Sequence, residues 1–262
     1  MGAEKYDKGK ERRVRLFVNT PLVRDGETDL TAAQAHYLGN VMRLKPGDSI
    51  FIFNGCDGEW RATLALLQRR GGTLVTEECI RQQTKPSGPM LLFAPLKTAR
   101  NAFLIEKSVE LGVGALQPVT TTHSQTHRVN FERFRAQAIE AAEQCGRLTV
   151  PAIHSLVSLS NLLTDWPQER PILFCDEVGG PSAVAAISST TIATPDMAWA
   201  ILIGPEGGFS SLERECVRLR SGTVSVSLGP RILRSETAAI TALSLWQATL
   251  GDLESNDADP NL

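Results

Sequence analysis

Long hydrophobic runs are missing from this 262-residue sequence, and so is a hydrophobic leader. No apolar segment approaches the roughly 20 residues that an α-helix needs to span a bilayer. Residues 1–15 are rich in charge and lack the apolar stretch of a secretory signal. We therefore expect a cytoplasmic protein without membrane segments. Its 42% hydrophobic and 21% charged residues are typical of a globular chain with a core of normal size.

Cysteines are few and widely separated, at Cys56, Cys79, Cys145, Cys175 and Cys216. No Cys-x-x-Cys pair occurs and no histidine lies near them, so their spacing favours neither a zinc site nor a redox pair. We interpret them as reduced, small core residues, and we expect no metal.

The net charge is also small, at −2 with 27 basic and 29 acidic residues. Basic residues concentrate early in the chain and acidic residues in its tail, which argues against a non-specific polyanion binder but neither supports nor excludes RNA. The four tryptophans show no aromatic interleaving of the kind that stacks single-stranded bases. Any RNA docking should therefore depend on shape and on phosphate contacts.

Short predicted strands separated by tight turns occupy the first third of the chain. Asn54-Gly55 and Asp57-Gly58 are hairpin-type turn signals, and Thr31 is a predicted helix N-cap. The strands are predicted at residues 14–18, 49–53, 59–66 and 73–79. We expect a small β-barrel-like domain over residues 13–80, followed by a polar, proline-containing linker over residues 81–89.

Apolar strands alternate with amphipathic helices in the rest of the chain. Residues 133–147 and 235–251 carry apolar side chains at helical spacing. Almost wholly apolar strands, as in a parallel sheet that is covered on both faces, are predicted at residues 90–94, 115–119, 172–175, 200–203 and 224–228. The alternation predicts a three-layer α/β domain over residues 90–251.

The most informative segment joins one of these strands to a predicted helix, and it reads Ile201-Leu202-Ile203-Gly204-Pro205-Glu206-Gly207-Gly208-Phe209-Ser210. Glycines let the backbone turn sharply and approach a ligand closely, and α/β sheets bind ligands in loops at the carboxyl ends of parallel strands. Ser210 and Glu213 have the spacing of a capping box. The segment is neither a Walker A loop nor a dinucleotide fingerprint. A plain strand-to-helix turn is the alternative, but such a turn does not need the charge of Glu206.

A second loop, over residues 228–238, also follows an apolar strand, turns at a Gly-Pro pair and enters the last predicted helix. Ser235 can cap that helix, and Glu236 would lie at its positive end. Ile232-Leu233 places two apolar side chains in a loop, which indicates a pocket. Arg234 and Glu236 could equally form a surface ion pair.

Gly-Pro-Glu-Gly-Gly and the later Leu-Gly-x-x-Ile-Leu-Arg-x-Glu-Thr-Ala together resemble the SPOUT class of RNA methyltransferases. Within that class they resemble the RsmE family, which methylates N3 of a uridine in small-subunit ribosomal RNA. The resemblance covers essentially residues 13–250 and is also carried by residues 15–18, 36–38, 41–44, 95–97, 106–113, 140–145, 147 and 150–151. One departure is Thr121-Thr122-His123-Ser124, where the family usually has Thr-Glu-Arg-Ser. His123 therefore stands in place of the usual basic residue.

The resemblance implies an α/β fold in which a PUA-like β-barrel domain precedes a SPOUT-type parallel sheet with a trefoil knot. It also implies a homodimer that acts on the RNA of the small ribosomal subunit and uses S-adenosylmethionine, without a metal. The loops would hold this methyl donor through Leu202, Ile203, Gly204, Gly207, Gly208, Leu228, Gly229, Ile232 and Leu233.

Uridine N3 carries a proton and is a poor nucleophile until that proton leaves. By the resemblance, Arg234 would stabilise charge on the uracil oxygens, and Glu206 or Glu236 would accept the proton or orient Arg234. RNA contacts would come from Arg15, Arg43, Lys97, Lys107, Glu143, Gln144 and Arg147.

Three alternatives remain open. The first is an RNA-binding module of the same fold that binds no methyl donor. The second is a SPOUT enzyme that acts on another base or on transfer RNA. The third is a nucleotide-binding oxidoreductase or hydrolase, which would need a phosphate cradle at its first strand–helix turn; Pro95-Leu96-Lys97-Thr98 lacks the glycines for one.

Overall fold

The computed structural model describes residues 14–189 and 198–253, which divide into two compact units. The first unit ends at Thr84 and the second begins at Lys85. The early basic residues before position 14 and the acidic tail after position 253 lie outside the described residues. Within the described ranges, no helix is long and apolar enough to cross a membrane, and no group of three metal-binding side chains comes together.

The first unit is built on a five-stranded sheet whose order is β1-β3-β4-β5-β2. Its strands are β1 Arg15–Phe17, β2 Glu27–Leu30, β3 Ser49–Phe53, β4 Glu59–Gln68 and β5 Gly71–Arg81. β1 pairs parallel with β3, and the other pairs are antiparallel. A helix, α1 Ala32–His36, and a π-helical turn, Tyr37–Val41, follow β2. Leucine and isoleucine side chains from the strands and from the π-helical turn form the core of this unit.

Local sequence signals place most of these elements. Thr31 is the N-cap of α1 and forms a capping box with Gln34, so the predicted cap is confirmed. β2 was not predicted, because one of its two buried positions holds a polar residue. Thr28 is polar but is as buried in the sheet as Leu30, and its hydroxyl lies 3.1 Å from the hydroxyl of Thr20.

The second unit is an α/β domain with a parallel sheet in the order β12-β10-β11-β6-β7-β8, and a short strand, β9, also pairs with β7. Its strands are β6 Met90–Phe93, β7 Ala115–Thr120, β8 Ala152–Ile153, β9 Val157–Ser158, β10 Ile172–Cys175, β11 Ala200–Ile203 and β12 Thr223–Val226. Its helices are α2 Thr98–Glu110, α3 Phe131–Cys145, α4 Leu159–Thr164, α5 Ala183–Ser189, α6 Ser211–Arg218 and α7 Ser235–Leu250. The predicted parallel α/β architecture is confirmed.

The register of three neighbouring strands positions the loops that follow them. Cys175 at the end of β10 is aligned with Ile203 at the end of β11 and with Val226 at the end of β12. β10 and β11 are buried along their whole length, as their continuous apolar sequences predict. Three loops therefore leave the same edge of the sheet at the same level.

Candidate active site

A cavity of about 160 Å³ lies at this edge, between the loops that follow β10, β11 and β12. We call residues 204–210 the first loop and residues 227–234 the second loop. The remaining wall comes from the end of β10 and the start of α7. The lining residues are Cys175, Asp176, Glu177, Ile203, Gly204, Pro205, Glu206, Gly208, Ser227, Leu228, Gly229, Pro230, Arg231, Ile232, Leu233, Ser235 and Ala238.

Close packing dictates the glycines of the first loop. A Cβ atom on Gly204 would lie 2.7 Å from the ring of Phe209, which is buried in the domain core. Gly208 has a φ of +67°, and its N–H donates to the carbonyl of Pro205 at 2.9 Å to close a turn. The loop then enters α6 through the capping box of Ser210 and Glu213, which confirms that prediction.

The second loop is open at Gly229, whose φ is +112° and whose missing Cβ would meet no atom within 4 Å. Ile232 is 93% exposed, which is unusual for an isoleucine in a folded chain. The predicted helix cap is corrected by one residue. Arg234 is the N-cap of α7, and its side chain makes no capping bond. Instead of capping, the Ser235 hydroxyl donates to the carbonyl of Gly204 at 2.8 Å and joins the first loop to the start of α7.

The wall from β10 combines a neutral thiol with a paired carboxylate. Burial raises the pKa of Cys175 to about 12, so this side chain is a thiol at neutral pH rather than a nucleophilic thiolate. Asp176 is buried, and its two oxygens lie 3.0 Å from Arg214 Nε and 2.6 Å from an Arg218 Nη atom. These ion pairs connect β10 to α6.

The loop after β7, residues 121–125, holds the first loop from outside, and we call it the clasp. The His123 ring atom Nδ1 lies 2.9 Å from the carbonyl oxygen of Gly207. The Thr122 N–H donates to Glu213 at 2.8 Å. His123, the residue that departs from the family pattern, thus contacts the backbone of the cavity loop.

Acidification should weaken the junction between the clasp and α6. Burial raises the pKa of Glu213, but hydrogen bonds from Ser210 and Thr122 outweigh burial and hold it below the ordinary value of 4.5. Such a carboxyl stabilises the fold above its unfolded-state pKa, and its contribution is lost as pH falls through the lower folded-state pKa.

Between neutral pH and about pH 3, the free energy of unfolding should therefore fall more for the wild type than for Glu213→Gln. Urea unfolding at each pH measures this difference. Glu140→Gln, an exposed position on α3, is the control and should follow the wild type. Identical pH profiles for Glu213→Gln and the wild type would contradict the assignment.

The three residues predicted to be catalytic do not form one cluster. Arg234 is exposed, and within the described ranges its side chain has no hydrogen bond or ion pair. The surface pair between Arg234 and Glu236, which the sequence left open as an alternative, is therefore not formed. Glu206 and Glu236 both pair with Arg100 instead. Sequence reasoning missed Arg100 because its partners lie more than a hundred positions further along the chain.

Seven of the nine residues predicted to bind the cofactor line the cavity, namely Ile203, Gly204, Gly208, Leu228, Gly229, Ile232 and Leu233. The other two have different surroundings. Leu202 is fully buried in the domain core. Gly207 faces the clasp, because a Cβ atom there would lie 3.0 Å from Cβ of His123.

Two arginines predicted to contact RNA have their side chains bonded within the protein instead. The Arg15 side chain is 5% exposed, pairs with the buried Glu59 and lies over the ring of Phe53, so it stabilises the first unit. Arg147 donates to the carbonyls of Val109 and Val113 at 2.9 Å each. It therefore bonds to backbone carbonyls at and just after the end of α2.

The other predicted RNA contacts are more accessible. Arg43, Lys97 and Gln144 are exposed, and Glu143 is half-buried. Lys107 pairs with Glu106 and Glu110 at 2.7 Å each, and these hydrogen bonds raise the pKa of its ammonium group. Because its charge is already paired within α2, Lys107 is the weakest of these candidates.

Comparison with known families matches both units. Residues 84–247 match the RNA methyltransferase domain family, and residues 30–77 match the RNA methyltransferase PUA domain family. The fold and the site thus define an RNA methyltransferase with an N-terminal PUA domain. More narrowly, the chain belongs to the ribosomal RNA small subunit methyltransferase E family, which is the RsmE family.

Individual relatives are similar over nearly the whole chain. The ribosomal RNA small subunit methyltransferase E of Rickettsia conorii is 31% identical over 88% of this chain and 93% of its own. Its Bacillus subtilis counterpart is 29% identical over 82% and 87%. The Neisseria gonorrhoeae enzyme, solved with bound S-adenosylmethionine, aligns with a TM-score of 0.80 and 29% identity over 92% and 99%. A Legionella pneumophila methyltransferase with the same cofactor aligns at 0.79 and 27% over 90% and 98%.

Proposed function

We propose that this chain transfers the methyl group of S-adenosylmethionine to N3 of a uridine in small-subunit ribosomal RNA, in the cytoplasm. The observation that carries the proposal is the cavity between the two loops, at the strand ends where α/β sheets bind ligands. Two structural relatives with 27–29% identity were solved with S-adenosylmethionine bound. Family membership supports ribosomal RNA of the small subunit as the substrate.

The residues around the cavity fit this methyl donor. Leu228, Ile232 and Leu233 offer apolar walls for an adenine ring, which accounts for the unusual exposure of Ile232. Glu177 and Glu206 also line the cavity, and each is paired with an arginine, Arg214 and Arg100 respectively. The two positions that do not line the cavity would act indirectly, Leu202 by anchoring β11 and Gly207 by contacting the clasp.

When bound, S-adenosylmethionine supplies an electrophilic methyl group. The chain has to align the acceptor nitrogen with that group, and positioning alone can lower a barrier by roughly 7–11 kcal/mol. Arg234, exposed and unpaired in the described structure, would stabilise negative charge on the uracil oxygens once N3 has lost its proton. Of the two carboxylates, only Glu206 lines the cavity, so we assign it rather than Glu236 as the group that accepts or orients that proton.

Docking of the RNA would involve both units. Arg43 in the first unit and Lys97 and Gln144 in the second are exposed and free to meet phosphates or bases. We assign residues 13–80 to RNA docking and residues 90–251 to the transfer reaction.

We also propose a homodimer and a knotted second unit. Exposed apolar side chains on the second unit, such as Phe103 on α2, support a surface that a second copy covers. A sedimentation mass of one chain would contradict the dimer.

The strand order supports the knot. From β11 the chain crosses β10 to reach β12, and α7 then returns to pack on β11 and α2.

Mass spectrometry of ribosomal RNA tests the reaction and the substrate together. Small-subunit RNA from a strain that lacks this gene should have lost one N3-methyluridine, and restoring the gene should restore it. Loss of a different methylated nucleoside would keep the enzyme class and overturn the base. Unchanged RNA in the deletion strain would overturn the proposed substrate.

A further inference from the structure

Arg100 lies in the first turn of α2 and contacts two carboxylates from distant parts of the chain. One of its terminal nitrogens pairs with Glu206 of the first loop. Its Nε atom lies 3.6 Å from Glu236 in the first turn of α7. A single guanidinium thus joins the start of α2, the cavity loop and the start of α7.

Both oxygens of the Glu206 carboxylate have a partner. Arg100 pairs with Oε1, and the amide of Gln125 in the clasp lies 3.3 Å from Oε2. Of these residues, only Glu206 lines the cavity. Arg100 does not line the cavity itself and contacts its wall through Glu206.

Burial of Glu236 separates this arrangement from an ordinary surface ion pair, which contributes little to stability. The Glu236 side chain is only 11% exposed, and its Oε2 atom is buried without a hydrogen-bond partner. Within residues 14–189 and 198–253, Arg100 is the one cation within 4 Å of Glu206 or Glu236. A buried carboxylate with one cationic partner depends strongly on that partner.

We infer that Arg100 is a positioning residue for methyl transfer, an inference that rests on the proposed function. Arg100 holds the Glu206 carboxylate at the cavity wall and ties it to the first turn of α7. That turn begins directly after Arg234. The guanidinium thereby sets the distance between the two groups that face the uracil. A misplacement of about 1 Å at such groups can lower a rate by about 10²-fold.

Arg100→Met should lower the single-turnover rate of methyl transfer by about 10–100-fold, while the dissociation constant of S-adenosylmethionine changes by less than about threefold. Arg100→Lys should restore only part of the rate, because an ammonium is a point charge and cannot span both carboxylates as a planar guanidinium does. Arg133→Met is the matched control, since it removes an exposed arginine from the first turn of α3. It should retain the wild-type rate.

A double-mutant cycle tests whether Arg100 acts through Glu206. In a Glu206→Gln background, Arg100→Met should lower the rate by less than about threefold, because the carboxylate it positions is already neutral. Full additivity of the two losses would overturn the inference, and so would a wild-type rate in Arg100→Met. If Arg100→Met fails to fold, as urea unfolding would reveal, the same cycle with Arg100→Lys decides.

The proposed function fails in a different way. If the wild-type chain binds no S-adenosylmethionine or methylates no ribosomal RNA, the reaction itself is wrong. If the wild type is active and Arg100→Met is equally active, the reaction stands and only the role of Arg100 falls.

Discussion

Replacement of Arg234 by alanine should lower the rate of methyl transfer by about 10²–10³-fold and leave the affinity for S-adenosylmethionine within about threefold of wild type. The size of the expected loss follows from the chemistry, because removing a donor from a site of developing negative charge costs that much in other enzymes. The affinity for the methyl donor should be spared because of where Arg234 lies. Arg234 comes just after the cavity wall, and its side chain is not among those that line the cavity.

Stability should not obscure this result. Arg234 is the N-cap of α7, but its side chain makes no capping bond, so alanine removes no stabilising contact of the described structure. Single-turnover transfer to small-subunit RNA gives the rate, and calorimetry gives the affinity for the methyl donor. Arg234→Lys keeps the charge and loses the planar guanidinium, so its rate should lie between the rates of the wild type and of Arg234→Ala. An equal loss of rate and of donor affinity in Arg234→Ala would assign Arg234 to cofactor binding instead.

Gly229→Val should weaken binding of S-adenosylmethionine by at least about tenfold, which corresponds to about 1.4 kcal/mol. Gly229 lines the cavity, and the space next to it is open, so a valine side chain would enter the volume that the ligand needs. The φ of +112° also disfavours any L side chain, and the strain of about 1–3 kcal/mol would reshape the second loop.

Gly179→Val is the matched control for strain. Gly179 has a φ of +108° and equally open surroundings, but it does not line the cavity. Both variants should lose similar stability in urea unfolding, and only Gly229→Val should lose affinity in calorimetry. Equal affinities in the two variants would show that the ligand does not lie against the second loop.

Sequence reasoning succeeded where a local pattern determines structure. The central strands β10 and β11 are continuous apolar runs. In both loops, glycine and proline follow an apolar strand and predict a turn. Short strands such as β8 and β9 were missed because two residues cannot display a period. The cap of α7 was predicted at the wrong residue for another reason. The bond from Ser235 to Gly204 joins distant positions and is visible only in the folded chain.

Charged residues were the hardest to interpret, because a charge in a sequence does not reveal its partner. Arg15 and Arg147 were predicted to contact RNA, yet one is buried against Glu59 and the other bonds to backbone carbonyls. Conversely, Arg100 carried no local signal. It pairs with Glu206 and Glu236, which only the folded chain brings next to it.

The alignment of three strand ends has a consequence for positions remote from the ligand. Leu202 packs its side chain into the core, and the peptide that follows Ile203 departs from that anchored point. A smaller side chain at position 202 would let β11 settle by a fraction of an ångström, and the loop entrance would move with it. Mutations in the middle of the sheet can therefore change the shape of the cavity without replacing any residue that lines it.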